Sequence, residues 1–307
     1  MKHILPLALV WSLTFFSLHA QAKKDKPLEI VTTTAMVADT VRQVAGPHAR
    51  VTHLMGEGVD PHLYTPTRDD VRKLQRADMI FYNGLYLEGK MEATLKKMAK
   101  PGKPVIAVGE TLPKAKLLAD GENPDHPDPH VWMDAALWAQ TIDPVVGALS
   151  AQAPAHASTF QANGKKYREQ LAALDEKIRA MTASIPEAQR VLITAHDAFQ
   201  YFSRGYAIEV RGVQGLSTES EAGIKDINDL VDFVVQRKIG AVFVESSVAD
   251  KNLKALIEGA AARGQKVVIG GELYSDAMGR AGTPEGTYPG MMEHNARTIT
   301  RALGGKP

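Results

Sequence analysis

The chain contains no cysteine among its 307 residues. This absence excludes disulfide bonds, zinc sites built on thiolates and a cysteine nucleophile. It also removes the lipid-modified cysteine that would anchor an exported bacterial protein to a membrane. An excess of charge of one sign is lacking as well, because the formal net charge is +1. We therefore expect no nucleic-acid partner, since no broad electrostatic field would attract one.

Long hydrophobic runs are also absent, with one exception near the start of the chain. The apolar stretch Ile4–Leu18 follows a short polar start, and Ala20-Gln21-Ala22 then matches a small-x-small cleavage pattern. The stretch is shorter than the roughly 20 residues of a membrane span. It predicts a cleaved signal peptide over residues 1–22. The mature chain is expected to be a soluble periplasmic protein without a membrane anchor.

Short apolar runs alternate with amphipathic helical patterns in each half of the mature chain. This alternation is typical of parallel sheets covered by helices on both faces. We expect an α/β fold of two lobes, residues 27–150 and 187–307, each a parallel sheet of about four strands with flanking helices. The predicted strands are Leu28–Thr33, Val51–Met55, Met79–Tyr82 and Val105–Val108, then Val191–Thr194, Ile208–Val210, Ala241–Val244 and Val267–Ile269.

A long helical pattern separates the two halves, within residues 151–186. Large apolar side chains recur there at spacings of seven, four and three, which predicts one helix from about Ala155 to Ile185. A helix of this length would span roughly 45 Å. The pattern favours a backbone helix that joins the lobes over a coiled-coil arm, because its clear stripe is short. The stripe consists of Phe160, Tyr167, Leu171, Leu174, Ile178, Met181 and Ile185.

Four candidate metal ligands lie on loops after predicted strands. Two come from repeated tripeptides that end in His62 and His130, the third is His196, and the fourth is Asp276. In open parallel sheets, ligands bind at the carboxyl ends of the strands, so these loops can converge in a cleft between the lobes. Imidazole and carboxylate groups together suit Zn²⁺ and neighbouring divalent ions.

Each candidate also has a purely structural interpretation. An Asp-Pro-His tripeptide can be a turn in which the aspartate accepts hydrogen bonds from the backbone, and Asp276 can cap a turn. Asp197 is more typical of a helix N-cap than of a ligand. Glu245 can accept a hydrogen bond from a metal-bound imidazole or can cap the next helix. His126, close in sequence to His130, could hold ions transiently.

The motifs resemble the metal-binding receptors of bacterial ABC importers for manganese and zinc, the TroA-like family. The resemblance covers the mature chain and implies two α/β lobes joined by one long helix, with a metal ion between them. It places the ligands on His62, His130, His196 and Asp276. Some members have glutamate at the third ligand position, where this chain has His196. Many zinc-dedicated members have a long histidine-rich loop before the second motif. The corresponding segment of this chain, residues 116–127, contains only one histidine, His126. The motifs that carry the resemblance are Val59–Tyr64, Asp128–Asp134, Ala195–Phe199, Tyr274–Gly279, Glu285–Tyr288 and Met291–Asn295.

These observations together predict a periplasmic solute-binding protein and not an enzyme. The expected cargo is a divalent transition metal, Zn²⁺ or Mn²⁺ with Fe²⁺ also admitted. The expected partners are a membrane permease and its ATPase subunit, and the chain is expected to be a monomer. One alternative is a zinc-dependent hydrolase, which needs an open coordination position and a general base such as Glu245. The other is a metal-binding adhesin, which the missing cysteine disfavours.

Overall fold

The computed structural model describes residues 26–121 and 126–307. The predicted signal peptide, residues 1–22, lies outside the described residues, and its cleavage stays a prediction. The strands are β1 Leu28–Thr32, β2 Ala49–His53, β3 Met79–Tyr82, β4 Val105–Ala107, β5 Val191–His196, β6 Glu209–Gln214, β7 Ala241–Glu245 and β8 Val268–Leu273. The helices are α1 Ala35–Ala45, α2 Arg68–Arg76, α3 Gly89–Met98, α4 Ala135–Trp138, α5 Ile142–Gln152, α6 Ala157–Ala183, α7 Gln200–Tyr206, α8 Ile224–Gln236, α9 Lys251–Ala262 and α10 Tyr288–Ala302.

All eight predicted strands are present, and every pairing between them is parallel. The first half forms a four-stranded sheet in the order β2-β1-β3-β4. In the second half, the strands form two hydrogen-bonded pairs, β5-β6 and β7-β8. β5 and β7 contact each other, so the two pairs lie side by side. Strands therefore run in one direction within the first sheet and within each of the two pairs, as the alternation of strands and helices indicates.

The outer strands differ from the prediction that apolar runs are buried on both faces. Val268 and Ile269 of β8 are 49% and 48% exposed. β8 has a strand neighbour on one side only among the described residues. β2, at the other end of its sheet, also has partly exposed side chains throughout. An apolar run in the sequence indicates that the segment can form a strand. The position of that strand within the sheet decides how much of its surface neighbouring elements bury.

The long helix α6 begins at Ala157 and ends at Ala183, slightly inside its predicted limits. Residues Pro154–His156 form a separate 3₁₀ turn instead of the first helical turn. At 27 residues, α6 is about 40 Å long. Gly164 lies against α5, where a Cβ atom would be 2.6 Å from a methyl carbon of Val146. This glycine therefore allows the two helices to approach closely.

The predicted apolar stripe of α6 is buried, and it contributes to one core that extends through both halves of the chain. This core contains Phe81 of β3, Trp132, Tyr167 of α6, Phe243 of β7 and Tyr288 of α10. Helix α6 packs on α1 and α5 from the first half and on α7 and α10 from the second. Within the described ranges, no helix has both the length and the apolar character needed to cross a membrane.

Candidate metal centre

The structure brings the four predicted ligands together. His62 lies on the loop after β2, His130 immediately precedes a short helical turn, and Asp276 lies three residues beyond the end of β8. His196 is the last residue of β5, two residues later than the predicted strand end. One donor atom from each of the four side chains lies within 4.8 Å of the other three. The site is built at the carboxyl ends of strands from both halves, as the sequence predicts.

The distances between these donor atoms fit a single small cation. Asp276 carboxylate oxygens lie 3.1 Å from Nε2 of His196, 3.4 Å from Nε2 of His130 and 3.8 Å from Nε2 of His62. The Nε2 atoms of His62 and His130 are 3.3 Å apart. Ligands on a tetrahedral Zn²⁺, with Zn–N bonds of about 2.0–2.1 Å, would be about 3.3 Å from one another.

The buried polar atoms of the centre lack ordinary partners. The side chains of His130, His196 and Asp276 are fully buried. Within residues 26–121 and 126–307, Nε2 of His196 and both carboxylate oxygens of Asp276 make no well-aligned hydrogen bond, and their 3.1 Å approach is a contact between charged groups. Leaving such atoms unpaired in a protein interior costs roughly 1–3 kcal/mol each. A cation between them would satisfy all of these atoms together.

Glu245 orients the His196 ring. Its Oε2 atom lies 2.6 Å from Nδ1 of His196, and its Oε1 atom accepts a 2.9 Å hydrogen bond from the backbone N–H of the same residue. A carboxylate at Nδ1 fixes the ring and leaves Nε2 available for a metal ion. The structure thus shows Glu245 in contact with an imidazole, as the first of its two interpretations requires, and Asp250, not Glu245, precedes the first residue of α9.

Asp128 orients the His130 ring in the same way. Its Oδ1 atom lies 2.8 Å from Nδ1 of His130 and 2.9 Å from the backbone nitrogen. Two further contacts hold the backbone of this tripeptide. The Asn83 amide donates to the carbonyl oxygen of Pro129 at 3.0 Å, and the Tyr201 hydroxyl donates to that of Asp128 at 2.9 Å. The turn interpretation and the ligand interpretation of this tripeptide are thus compatible.

The first Asp-Pro-His tripeptide is arranged differently. Asp60 accepts a 2.8 Å hydrogen bond from the backbone N–H of His62, and its other oxygen accepts a 2.6 Å bond from the Thr218 hydroxyl. Within the described parts of the chain, no carboxylate reaches Nδ1 of His62. Asp60 therefore joins the loop of His62 to a loop of the second half, whereas Asp128 supports a ligand ring.

Burial and charge set the protonation of the ligands. Burial lowers the pKa of His62 to about 3, so this ring is neutral at physiological pH. Burial also acts to lower the pKa of His196, but the carboxylates of Glu245 and Asp276 outweigh it and hold that pKa well above its usual value. Burial acts to raise the pKa of Asp276, and the neighbouring His196 charge reverses this and keeps the pKa well below its usual range.

Two other predicted residues lie outside the group of four. Asp197 is not an N-cap, because α7 begins only at Gln200, after Phe199. Its carboxylate instead accepts a 2.7 Å bond from the Gln200 side chain, and burial raises its pKa to about 6. The His126 ring stacks on Tyr86 with centroids 3.8 Å apart and lines a cavity that also reaches His62.

The sequence analysis did not identify Asn83, Tyr201 and Thr218 as supporting residues. Thr218 and Asp60 are 158 residues apart in the chain, and no periodicity or motif connects them. The repeated tripeptide marked Asp128 and Asp60 equally as residues beside a candidate ligand. Their roles differ only because each aspartate contacts different distant segments of the chain.

The fold and the centre define a two-part α/β protein with a buried site of three imidazoles and one carboxylate between its parts. The chain belongs to the family described as "Zinc-uptake complex component A periplasmic", whose profile matches residues 30–302.

Relatives at nearly equal similarity include proteins named for different metals. The chain is 49% identical over 279 residues to the manganese-binding lipoprotein MntA of Bacillus subtilis, covering 91% of this chain and 90% of that protein. It is 48% identical over 290 residues to the zinc-binding protein TroA of Treponema pallidum, covering 93% of each. The solved structure of that periplasmic zinc-binding protein superimposes with a TM-score of 0.87 at 47% identity, covering 91% of this chain and 99% of that one.

Proposed function

We propose that this protein captures a divalent transition metal in the periplasm and delivers it to an ABC importer. The supporting observation is the convergence of three Nε2 atoms and one carboxylate within 4.8 Å, on four buried side chains. The proposed ligands are His62, His130, His196 and Asp276. The proposed partners are a membrane permease and its ATPase subunit, and the protein acts as a monomer.

The cargo is Zn²⁺ or Mn²⁺. Three imidazoles and a carboxylate suit tetrahedral Zn²⁺, and a carboxylate that binds through both oxygens raises the coordination number and admits Mn²⁺ or Fe²⁺. Intrinsic affinity favours Zn²⁺ over Mn²⁺ for almost any such site. The names of MntA and TroA include one metal each. Metal analysis of protein purified from its own periplasm without chelator identifies the cargo.

The arrangement supports binding and not hydrolysis. A catalytic zinc ion keeps one position open for water and needs a general base nearby. Four protein ligands would leave a tetrahedral ion no such position. Glu245, the candidate base, already accepts two hydrogen bonds from His196. We therefore propose that the protein breaks no bond in its cargo cycle.

The domain limits and the location of the protein complete this proposal. The first lobe comprises residues 27–150, the linker 151–186 contains α6, and the second lobe comprises 187–307. Export uses a signal peptide cleaved after Ala22, and the mature protein is free in the periplasm. A chain without cysteine offers no site for the thioether-linked lipid of bacterial lipoproteins.

Calorimetric titration of the purified protein and single-residue variants tests the ligand assignment. We expect His62→Ala, His130→Ala, His196→Ala and Asp276→Ala each to weaken Zn²⁺ binding by more than about 100-fold, since each loses a direct metal bond. His156→Ala is the control, because its ring stacks on His48 at a separate place. Unchanged binding in any two of the four variants would refute this site.

A further inference from the structure

A buried carboxylate outside the group of four ligands holds the loop after β3. Glu88 is 3% exposed. Its Oε1 atom accepts hydrogen bonds from the Thr33 hydroxyl at 2.6 Å and from the backbone N–H of Asn83 at 2.8 Å. Its Oε2 atom accepts from the backbone N–H of Gly84 at 3.0 Å. Thr33 directly follows β1 and Asn83 directly follows β3, so one side chain joins the carboxyl ends of two paired strands.

The loop that Glu88 holds has an unusual backbone. Gly84 has a φ of 76°, and it is followed by Leu85 and Tyr86 with φ of 57° and 67°. Residues other than glycine rarely adopt this left-handed conformation, and they keep it only where surrounding contacts impose it. Burying a carboxyl group in place of an apolar one also costs free energy. Two unfavourable features at one place indicate a role beyond packing.

Asn83 connects this loop to the metal centre. Its side chain is fully buried, and its amide donates at 3.0 Å to the carbonyl oxygen of Pro129. Pro129 directly precedes His130, whose ring is oriented by the Asp128 carboxylate of the same tripeptide. A chain of hydrogen bonds and covalent bonds therefore leads from Glu88 through Asn83 to His130.

We propose that Glu88 is a positioning residue of the metal centre, because it fixes Asn83 so that the Asn83 amide holds the backbone directly before His130. The inference rests on the receptor function proposed above. Glu88 acts through Asn83 and not by contact with the ion. A ligand that is already held in place loses less conformational freedom when the ion binds, so loss of the connection weakens binding although no ligand is removed.

A double-mutant cycle on Zn²⁺ affinity tests the connection. Glu88→Gln keeps the shape of the side chain but replaces one acceptor oxygen with an N–H donor, and Asn83→Leu removes the donor to Pro129 at similar volume. We expect each variant to weaken Zn²⁺ binding by about tenfold. The double variant should also lose about tenfold and not about 100-fold, because both substitutions break the same path.

The matched control joins the same two strands at their opposite ends. Asp78 directly precedes β3 and accepts a 2.8 Å hydrogen bond from the backbone N–H of Glu29 in β1. Asp78→Asn should bind Zn²⁺ within about twofold of wild type, since the site of substitution lies at the other edge of the sheet.

Co²⁺ bound in place of Zn²⁺ reports the geometry of the ligands directly, because its visible absorption depends on how they surround the ion. We expect Glu88→Gln and Asn83→Leu to change this spectrum in the same way, and Asp78→Asn to keep the wild-type spectrum. A residue that only stabilises the fold would lower the unfolding temperature and leave the spectrum of the folded protein unchanged.

The outcomes separate this inference from the receptor function. Losses that multiply to about 100-fold in the double variant would contradict the path through Asn83. Wild-type Co²⁺ spectra in both single variants would overturn the positioning role. If Glu88→Gln does not fold, Asn83→Leu decides alone, and wild-type affinity and spectrum in that variant would refute the inference. Wild-type protein that binds neither Zn²⁺ nor Mn²⁺ would instead overturn the receptor function, and the inference with it.

Discussion

The indole Nε1–H of Trp132 donates a 2.9 Å hydrogen bond to the carbonyl oxygen of Ser275. These residues are 143 positions apart in the chain, yet one lies two residues after His130 and the other directly before Asp276. The Tyr288 hydroxyl in turn donates to the carbonyl oxygen of Trp132 at 2.7 Å. Buried hydrogen bonds of the protein itself therefore position the candidate ligands of the two halves relative to each other.

Removal of this link should weaken metal binding. Trp132→Phe loses the indole donor and leaves the Ser275 carbonyl oxygen unpaired, so we expect about tenfold weaker Zn²⁺ binding and a loss of about 1–3 kcal/mol in the free energy of unfolding. Trp138→Phe is the matched control, because the indole of Trp138 donates at 3.1 Å to the Thr40 hydroxyl. Calorimetric titration and denaturant unfolding should find similar destabilisation in the control without the loss of affinity. Equal losses of affinity in both variants would contradict the link.

The two Asp-Pro-His tripeptides provide a second comparison. Asp128→Asn removes the charged acceptor at the His130 ring, and we expect Zn²⁺ affinity to fall by about 10- to 100-fold. Asp60→Asn keeps an oxygen that can accept from the His62 backbone and touches no ring, so its affinity should fall by less than about threefold. Competition titration against a chelator measures both. A larger effect of Asp60→Asn than of Asp128→Asn would reverse the assignment.

Metal affinity should depend on pH through His196. Its pKa is held well above the usual value by the Glu245 and Asp276 carboxylates, so we expect the metal-free centre to carry a proton that binding at Nε2 releases. The ion competes with that proton, and affinity therefore falls as pH falls. We expect log K to drop by about one per pH unit between about pH 7.5 and 5.5. The neutral His62 ring adds to this slope only near its pKa of about 3.

Glu245→Gln tests the cause of this pH dependence. The variant removes the carboxylate that raises the pKa of His196 most, so the slope of log K near neutral pH should become smaller although the affinity itself is weaker. Proton release measured by calorimetry in buffers of different ionisation enthalpy reports the same quantity. A slope that is flat in the wild type, or unchanged in the variant, would contradict protonation at His196.

Metal ions should stabilise the folded protein selectively. An ion that binds only the folded state at 100 times its Kd adds about 2.7 kcal/mol to the free energy of unfolding, which raises the Tm by several degrees. Zn²⁺ and Mn²⁺ should do so, and Mg²⁺ should not, because Mg²⁺ prefers oxygen ligands. Scanning calorimetry of metal-free protein with each ion checks this. No shift with Zn²⁺ and Mn²⁺ would count against the centre.

Metal release should change the shape of the molecule only slightly. Helix α6 is continuous from Ala157 to Ala183, and bending it in the middle would break backbone hydrogen bonds. A buried contact also joins it to other helices, because Asp39 of α1 accepts from the Tyr167 hydroxyl of α6 at 2.9 Å and from the backbone of Tyr288 in α10 at 3.2 Å. The radius of gyration from solution scattering should therefore agree with and without Zn²⁺ within error.

Hydrogen exchange provides the local counterpart of that measurement. Without metal, exchange should increase in the loops that carry His62, His130 and Asp276, while amides in the middle of α6 remain protected. A large expansion in scattering, together with faster exchange in α6, would show that this helix bends as a hinge.

The sequence by itself determined the local elements and pointed to the four residues that the structure brings together. Eight apolar runs gave eight strands, because strand propensity and chain direction are local properties. The stripe from Phe160 to Met181 gave one helix for the same reason. Four polar residues near the carboxyl ends of strands were predicted to converge in a cleft between the lobes, and the structure brings those residues together.

The tertiary structure alone decided what supports each ligand and where each strand lies in its sheet. The same tripeptide supports a ring at His130 and joins two halves at His62, because Asp60 meets Thr218 in space and Asp128 does not. Val268 and Ile269 were predicted to be buried because they belong to an apolar run, but they lie on an outer strand and are about half exposed. The spacing of apolar residues in a segment indicates its secondary structure and which of its faces is buried. Contacts between segments more than 100 residues apart depend on how the whole chain packs, and they leave no pattern in any single segment.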